Sequence, residues 1–166
     1  MTDITAHLAL AGYRIAGLAL QPVVPLALAV RARRGKEDMT RTGERYGLTT
    51  LTRPEGRLFL GHAASVGETN AVLPLISRLT ESGFRVVFTS TTVTSAQIAA
   101  QRLPAGALHQ FGPLDVATYV DRFLAHWRPE LAIFVESEIW PTIISRLANR
   151  KVPLAVVNGR LSERSF

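Results

Sequence analysis

The chain has 166 residues, of which 47% are hydrophobic and 19% are charged, and its formal net charge is +6. This length suits one ordinary domain with a sizeable core, and the composition excludes an intrinsically disordered or collagen-like chain. The absence of cysteine excludes disulfides, thiolate catalysis and cysteine-based zinc sites, and it fits a reducing compartment.

The first feature along the chain is a long apolar segment, Leu8–Val30, in which Arg14 is the one charged residue among 23. A bilayer core needs roughly 20 apolar residues, so this segment is long enough to span or enter a membrane. Pro22 and Pro25 would kink its helix, which membrane helices tolerate. We therefore expect residues 1–30 to form a membrane-anchor helix. A cleaved signal peptide, which the lack of a basic start argues against, and a buried amphipathic helix are the alternatives.

A basic stretch follows directly, and residues 31–56 are predicted to form a basic linker with one short helix around Thr40–Tyr46. Basic residues after an apolar stretch are typical of the cytoplasmic side of a membrane and suit anionic head groups. From residue 58 to 166 the chain has 10 basic and 8 acidic residues, so the positive excess lies beside the expected anchor. This placement argues against nucleic acid as a partner. The basic cluster consists of Arg31, Arg33, Arg34 and Lys36.

From residue 57 onward the pattern alternates between strands and helices. The predicted strands are Arg57–Leu60, Arg85–Ser90, Ala107–Phe111, Leu131–Val135 and Leu154–Val157. The predicted helices are Glu68–Ser82, Thr94–Arg102, Asp115–His126 and Ile139–Asn149. We expect Asp115 to be the N-cap of the third helix. This order indicates βαβ units and a parallel sheet covered on both faces, which is a Rossmann-like α/β domain at residues 57–166.

Ligands of such sheets bind beyond the carboxyl ends of the strands, where this chain concentrates its polar residues. Glu68 starts a helix after the small residues of 61–67, and a helix N-terminus keeps a carboxylate ionised and competent to act as a base. A structural first-turn glutamate fits the same pattern. Five hydroxyl side chains in Ser90–Ser95 suit either an anion or sugar ligand or ordinary helix capping.

Two glutamates, Glu136 and Glu138, follow the most apolar strand, where carboxylates are costly unless they are paired or used. Either a catalytic or a structural role accounts for them. Arg160, after the fifth strand, suits a carboxylate or phosphate ligand or pairs with those glutamates. His62 is the only histidine that merits a test, and no two histidines have the spacing of metal ligands. No Walker or dinucleotide motif is present, so no metal and no cofactor is predicted.

Together these motifs resemble those of the Kdo transferases, glycosyltransferases that add 3-deoxy-D-manno-octulosonic acid (Kdo) to a lipid A precursor. The resemblance covers nearly the whole chain. Ser95 and Thr142 are mild departures, since the family commonly has Gly and Asn there. The resemblance is specific because seven stretches match in order, at 41–47, 62–68, 89–94, 113–115, 122–129, 136–141 and 158–162.

The resemblance implies a two-domain GT-B fold in which this chain is the amino-terminal, acceptor-binding half of an inverting enzyme. Glu68 is then the expected general base, and Glu136, favoured over Glu138, a second catalytic residue. The donor CMP-Kdo would bind to a carboxy-terminal domain, which this sequence, ending at Phe166, is expected to lack. The fragment alone is therefore expected to lack turnover. The expected acceptor-binding residues are Ser65, Gly67, Thr91, Thr92, Glu138 and Arg160.

The partners that the resemblance implies are CMP-Kdo, a lipid A precursor and membrane lipids at the cytoplasmic face of the inner membrane. Two alternatives stay open. One is another membrane-bound GT-B transferase that acts on a lipid-linked sugar, which acceptor choice would distinguish. The other is a non-catalytic, membrane-anchored binding module, which a second Rossmann-like half downstream in the reading frame would exclude.

Overall fold

The computed structural model describes residues 2–135 and 140–157, with side chains from residue 8 onward. One parallel sheet runs through it, with the strand order β3-β2-β1-β4-β5. This order changes direction between β1 and β4, the place where ligands of such sheets bind. The strands are β1 (Leu58–Ala63), β2 (Arg85–Ser90), β3 (Ala107–Phe111), β4 (Leu131–Val135) and β5 (Leu154–Val157). The predicted α/β class with a parallel sheet is therefore confirmed.

Seven α-helices accompany the sheet in the described residues. They are α1 (Thr2–Ala19), α2 (Val24–Arg33), α3 (Thr42–Arg45), α4 (Val66–Glu81), α5 (Val93–Arg102), α6 (Ala117–Trp127) and α7 (Pro141–Asn149). Short 3-10 turns at Gln21–Val23 and Met39–Arg41 precede α2 and α3. The short helix predicted around Thr40–Tyr46 is therefore present.

The sheet separates two apolar layers. Along β1, successive side chains point to opposite faces, so Leu58 and Leu60 pack against α6 and α7 while Phe59 packs against α4 and α5. Trp127 and Phe88 are fully buried in the two layers. Both faces of the sheet are thus covered, as the continuous apolar strands predict.

Four strands have the predicted bounds, but β1 continues to Ala63 instead of ending at Leu60. Gly61 reads as a strand terminator in the sequence. In the structure its position faces Phe88, whose ring would lie 3.3 Å from an added Cβ, so glycine serves packing rather than a turn. His62 then continues the strand, paired in register with Thr89 of β2.

The predicted role of Asp115 as the N-cap of α6 is wrong. The residue before α6 is Val116, and it makes no side-chain cap. Asp115 instead accepts hydrogen bonds from the backbone amides of Thr142 and Ile143, at 2.8 and 2.9 Å, at the start of α7. Pro141 occupies the first turn of α7, where its missing N–H costs nothing, as expected.

The apolar N-terminal segment forms α1 and α2, which bend by 41° at the turn containing Pro22. Among the described residues no single helix is long and apolar enough to cross a membrane, although this bent pair meets that length and composition. The segment contacts the domain at two points, since Arg14 of α1 donates to the Ser145 hydroxyl of α7 and Gln21, in the turn after α1, donates to Thr118 of α6. Large apolar side chains remain exposed at Leu8, Ile15, Leu18, Leu20, Val23 and Leu26.

Candidate active site

A cavity of about 190 Å³ opens at the carboxyl edge of the sheet, above β1, β2 and β4. His62, Thr89 and Phe134 line it from the strands. Its other lining comes from the loop after β3 (Gly112 to Asp115), from Trp140 and Ile143 at the start of α7, and from Arg31, Glu37 and Arg45. The cavity therefore lies where the strand order predicts a ligand site.

Glu68 lies in the first turn of α4 and is only 8% exposed. One carboxylate oxygen accepts from the amide of Ala64 at 2.8 Å, and the other accepts from the hydroxyl of Ser65 at 2.7 Å. The Ser65 hydroxyl in turn accepts from the Glu68 amide at 3.2 Å. This reciprocal pattern is a variant of the capping box, in which the glutamate accepts from the amide before the N-cap residue, and it fixes the orientation of the carboxylate.

The hydrogen bonds of the capping box leave the Glu68 carboxylate able to accept from a substrate. Each carboxylate oxygen has a second lone pair, which can accept from a substrate hydroxyl. Ser65 and Gly67 beside it are exposed, so a ligand can approach from that side. Glu68 is not among the residues that line the cavity, so any role as a base belongs to a neighbouring part of the same edge.

The predicted hydroxyl-rich loop after β2 is largely structural. Thr92 caps α5 by accepting from the amide of Ser95 at 3.1 Å, and its hydroxyl donates to the Ser95 hydroxyl at 2.7 Å. Thr91 donates to the carbonyl of Ala64 at 2.9 Å, which joins this loop to the one before Glu68. Thr91 also lines the cavity, so it is the hydroxyl of this loop placed next to a ligand there.

A buried ion pair at the cavity was missed from the sequence. Arg45 is only 3% exposed, and its Nε contacts Glu37 at 2.6 Å. The second oxygen of Glu37 pairs with Arg31 at 3.0 Å. Arg45 also donates to the carbonyls of Thr91 at 2.7 Å and Gly112 at 3.3 Å, which ties together two strand-end loops. Burial lowers the pKa of the Arg45 guanidinium, and Glu37 opposes this shift.

A second missed cluster lies behind the ion pair, at β3. Arg41 pairs with both oxygens of Glu44, at 2.8 and 2.9 Å, and Glu44 accepts from the amide of Phe111 at 2.6 Å. The guanidiniums of Arg41 and Arg45 lie 4.7 and 4.4 Å from the centre of the Phe111 ring. Residues 37–47, which the sequence places in a linker, therefore lie against the sheet.

Burial, together with the nearby charges of Arg41 and Arg45, lowers the pKa of His109 to about 3. His109 is therefore neutral near pH 7. A guanidinium can only donate, so Nδ1 accepts from Arg41 at 3.1 Å and Nε2–H donates to the Ser90 hydroxyl at 2.9 Å. His109 is a structural histidine.

His62 lies on the floor of the cavity. The hydroxyl of Thr89 donates to the carbonyl of Gly61 at 3.1 Å, so it accepts from Nδ1–H of His62 at 2.9 Å. The imidazole lies 5.2 Å from the ring of Phe134 and edge-on to Trp140 at 6.4 Å, between ring centroids. These contacts fix the tautomer and the plane of the ring.

Glu136, Glu138 and Arg160, which the sequence predicts as site residues, lie outside the described residues. On either side of the two glutamates, Val135 is buried at the end of β4, and α7 begins at Pro141. Within residues 8–135 and 140–157, no group of three or more His, Asp or Glu side chains is arranged to hold a metal ion.

Comparison with known proteins identifies the family. Residues 40–166 match the family model of the 3-deoxy-D-manno-octulosonic-acid transferases (kdotransferase). The chain belongs to this family. The match begins at residue 40, so Arg41 and Arg45 lie within the family domain. The packing of this segment against the sheet agrees with that.

Named relatives agree with this membership. The chain is 38% identical over 156 residues to a probable mitochondrial 3-deoxy-D-manno-octulosonic acid transferase of Arabidopsis thaliana, covering 93% of this chain and 35% of the relative. The corresponding Rickettsia bellii transferase is 36% identical, with 93% and 37% covered. That of Haemophilus influenzae is 32% identical, with 89% and 35% covered. The chain thus spans about a third of the length of these Kdo transferases.

Proposed function

We propose that this chain is the acceptor-binding half of a GT-B glycosyltransferase that moves Kdo from CMP-Kdo to a lipid A precursor. The observation that carries the proposal is the family match over residues 40–166 of a domain whose sheet has the Rossmann order. A second domain holds the donor over the carboxyl edge of this sheet. Transfer inverts the anomeric centre.

In this proposal Glu68 is the general base. A hydroxyl oxygen of the acceptor sugar attacks the anomeric carbon of Kdo while the bond from that carbon to the CMP phosphate oxygen breaks. The hydroxyl proton passes to Glu68, and CMP leaves with the bonding electron pair. The capping box supports this role because it holds the carboxylate in one orientation at an accessible helix start.

The acceptor sugar is held by groups around that base. The exposed Ser65 and Gly67 let the sugar approach the backbone, and Thr91 offers polar atoms at the cavity. Thr92, at the exposed start of α5, also contacts the acceptor sugar. From the stretches outside the described residues, Glu136 acts as a second catalytic residue, and Glu138 and Arg160 bind the acceptor.

We also propose that α1 and α2 attach the protein to the cytoplasmic face of the inner membrane. Support comes from the large apolar side chains that both helices leave exposed, although Arg14 and Gln21 contact the domain. Helices that expose apolar side chains beside basic residues suit a position in the membrane interface. Arg33, Arg34 and Lys36 are exposed and attract anionic lipid.

The test is Kdo transfer to a lipid A precursor by the complete transferase that contains this segment. Glu68→Gln keeps the shape of the side chain and removes the base, so we expect the rate to fall by about 10² to 10⁴. Glu81→Gln, an exposed glutamate at the other end of α4, is the matched control and should transfer at the wild-type rate. Thermal melting checks folding. A folded Glu68→Gln enzyme that transfers within a few-fold of wild type would show that Glu68 is not the base.

A further inference from the structure

Arg31 differs from the basic residues that follow it because its side chain lines the cavity. It lies in the last turn of α2, and 46% of its side chain is exposed. Its Nε–H donates to Glu37 at 3.0 Å, and Nη2 donates to the carbonyl of Lys36 at 3.2 Å. The side chain of Glu37 is only 1% exposed. The guanidinium of Arg31 is therefore held in one orientation, from the buried side, while its other side is open to solvent.

The positive charge of Arg31 is not balanced within its ion pair. Glu37 is one carboxylate between two guanidiniums, and its contact with the buried Arg45 is the shorter, at 2.6 Å. Arg45 is 3% exposed and donates to two loop carbonyls as well, so it is not available to a ligand. Asp115, the other carboxylate in the described lining, accepts from two amides at the start of α7, whose dipole favours its charge. One positive charge, on Arg31, is therefore left for a ligand.

The remaining N–H groups of Arg31 suit a phosphate ligand. An arginine has five N–H groups, and those on Nη1 make no hydrogen bond to the residues that the structure describes. A planar guanidinium can bind two phosphate oxygens at once, and such charge-assisted hydrogen bonds are about twice as strong as neutral ones. A phosphate therefore fits both the charge and the shape of this group.

The position of Arg31 indicates that a lipid carries this phosphate. Helix α2, which ends at the cavity, exposes Leu26 and Val30. A lipid whose acyl chains lie along this helix in the membrane interface would bring its head group to the end of α2. The next three basic residues are exposed and, in the part of the chain that the structure describes, do not line the cavity. They suit the surrounding lipid, whereas Arg31 suits a lipid bound at the cavity.

We propose that Arg31 binds a phosphate group of the acceptor lipid at the edge of the cavity. The inference rests on the proposed function, which supplies a lipid acceptor and a membrane interface. The phosphate stays on the lipid throughout, so Arg31 contributes to binding and to the choice of acceptor. It should therefore change the affinity for the acceptor and not the turnover of the bound acceptor.

The first test measures binding by the full chain in detergent micelles. The probes are a lipid A precursor that carries its phosphate groups and the same lipid after phosphatase treatment. Arg31→Gln should weaken binding of the phosphorylated probe by about 10-fold and leave binding of the dephosphorylated probe unchanged. Arg33→Gln is the matched control, because it removes the same charge from the same helix end outside the cavity. It should change either affinity by less than about twofold.

The two probes separate phosphate binding from a structural role of Arg31. Equal weakening of both probes in Arg31→Gln would overturn the proposal. So would an Arg31→Gln chain that prefers the phosphorylated probe as strongly as the wild type does. If thermal melting shows that Arg31→Gln does not fold, Arg31→Lys decides. It keeps the charge and loses the planar pair of donors, so its preference for the phosphorylated probe should fall, and an unchanged preference would overturn the proposal.

Two further measurements identify the source of the phosphate. Vesicles of phosphatidylglycerol and phosphatidylcholine without acceptor should bind Arg31→Gln and Arg33→Gln equally. A greater loss in Arg31→Gln would assign the residue to the surrounding lipid and overturn the proposal. In the complete transferase, Arg31→Gln should raise the KM for the phosphorylated acceptor by about 10-fold, with kcat and the KM for CMP-Kdo unchanged.

A raised KM for CMP-Kdo, with the KM for the acceptor unchanged, would place the phosphate of the donor at Arg31 and overturn the proposal. Absence of Kdo transfer by the wild-type enzyme would overturn the proposed function instead. In that case the affinities of the two probes would still decide whether Arg31 binds a lipid phosphate.

Discussion

Arg45 shows how one residue can organise the carboxyl edge of a sheet. Its guanidinium joins the loops after β2 and β3 and is neutralised by Glu37. The sequence contains both residues, but a spacing of eight does not predict a pair, since they share no helix face. Only the tertiary path of the segment brings them together, so the sequence pattern alone indicates a linker there.

Removal of one partner of this buried pair should be strongly destabilising. Arg45→Met leaves Glu37 with Arg31 alone and leaves two carbonyls without their donor. We therefore expect the free energy of unfolding to fall by about 3 kcal/mol. Urea denaturation measures this. The exposed Arg33→Met is the control and should change the free energy of unfolding by less than about 0.5 kcal/mol. A similar small change in Arg45→Met would contradict the account of this ion pair.

His109 gives a pH-dependent prediction. Its pKa is lowered to about 3 in the folded protein against an ordinary value near 6.5, so the unfolded chain binds the extra proton first as pH falls. Stability attributable to His109 is complete above pH 6.5 and is lost between pH 6.5 and 3. Between pH 7 and 5 this loss amounts to about 2 kcal/mol at most. Urea midpoints of His109→Gln should fall less over this range than those of wild type, and parallel curves would refute the assignment.

At the level of elements, features set by the local sequence pattern are predicted correctly, and features set by tertiary contacts are not. β2, β3, β4 and β5 have the predicted bounds because their apolar runs and flanking turn residues agree. Asp115 was misassigned because a capping residue in sequence does not say which helix it caps. Its distance from Thr142 along the chain hides the contact. Ser65 and Thr92, in contrast, cap the helices that follow them.

Gly47 marks the closest approach of the segment after α3 to the domain. Its φ is +73°, and an added Cβ would lie 2.1 Å from the carbonyl oxygen of Tyr119 in α6. Gly35 has a similar φ of +66° but open space around it. We expect Gly47→Ala to cost at least about 2 kcal/mol more than Gly35→Ala, because overpacking adds to the common backbone strain. Thermal or urea unfolding of both variants measures the difference, and equal costs would show that residues 42–47 do not press on α6.

For the whole molecule, the sequence predicts an apolar start, a basic stretch and an α/β domain in that order. The sequence does not predict that the apolar start and the basic stretch pack against the α/β domain. Arg14, which weakens a transmembrane interpretation, instead contacts α7. Burial of Glu37 and Arg45 likewise turns part of the basic stretch into a wall of the cavity. Such docking depends on the shape of surfaces far apart in sequence, which periodicity cannot report.

The exposed apolar side chains of α1 and α2 should control membrane binding. Replacement of Leu8, Ile15, Leu18 and Leu26 by Gln keeps the docking residues, and we expect it to release the chain from anionic vesicles at both low and high salt. Gln at the exposed Met39 and Leu48 is the control and should leave flotation with vesicles unchanged. Retention of the first variant on vesicles would refute attachment through these helices.

The basic residues should act differently from the apolar ones. Neutralisation of Arg33, Arg34 and Lys36, with Arg31 left on Glu37, should weaken binding to anionic vesicles at low salt. The difference from wild type should shrink as salt rises, because exposed charges are screened beyond about 10 Å at 0.1 M. Neutralisation of the exposed Arg78, Arg128 and Lys151 removes the same charge elsewhere. An equal effect of both triple variants would mean that only net charge matters.

In the proposed function, this chain holds the acceptor and a second domain holds the donor. Titration of the isotope-labelled chain with a lipid A precursor in detergent, with detergent alone as reference, tests it directly by amide chemical shifts. We expect saturable shifts at residues 62–68, 89–95 and 112–115, and none at these residues with CMP-Kdo. The account would be contradicted if the precursor gave no saturable shifts there, or if CMP-Kdo alone shifted the same residues.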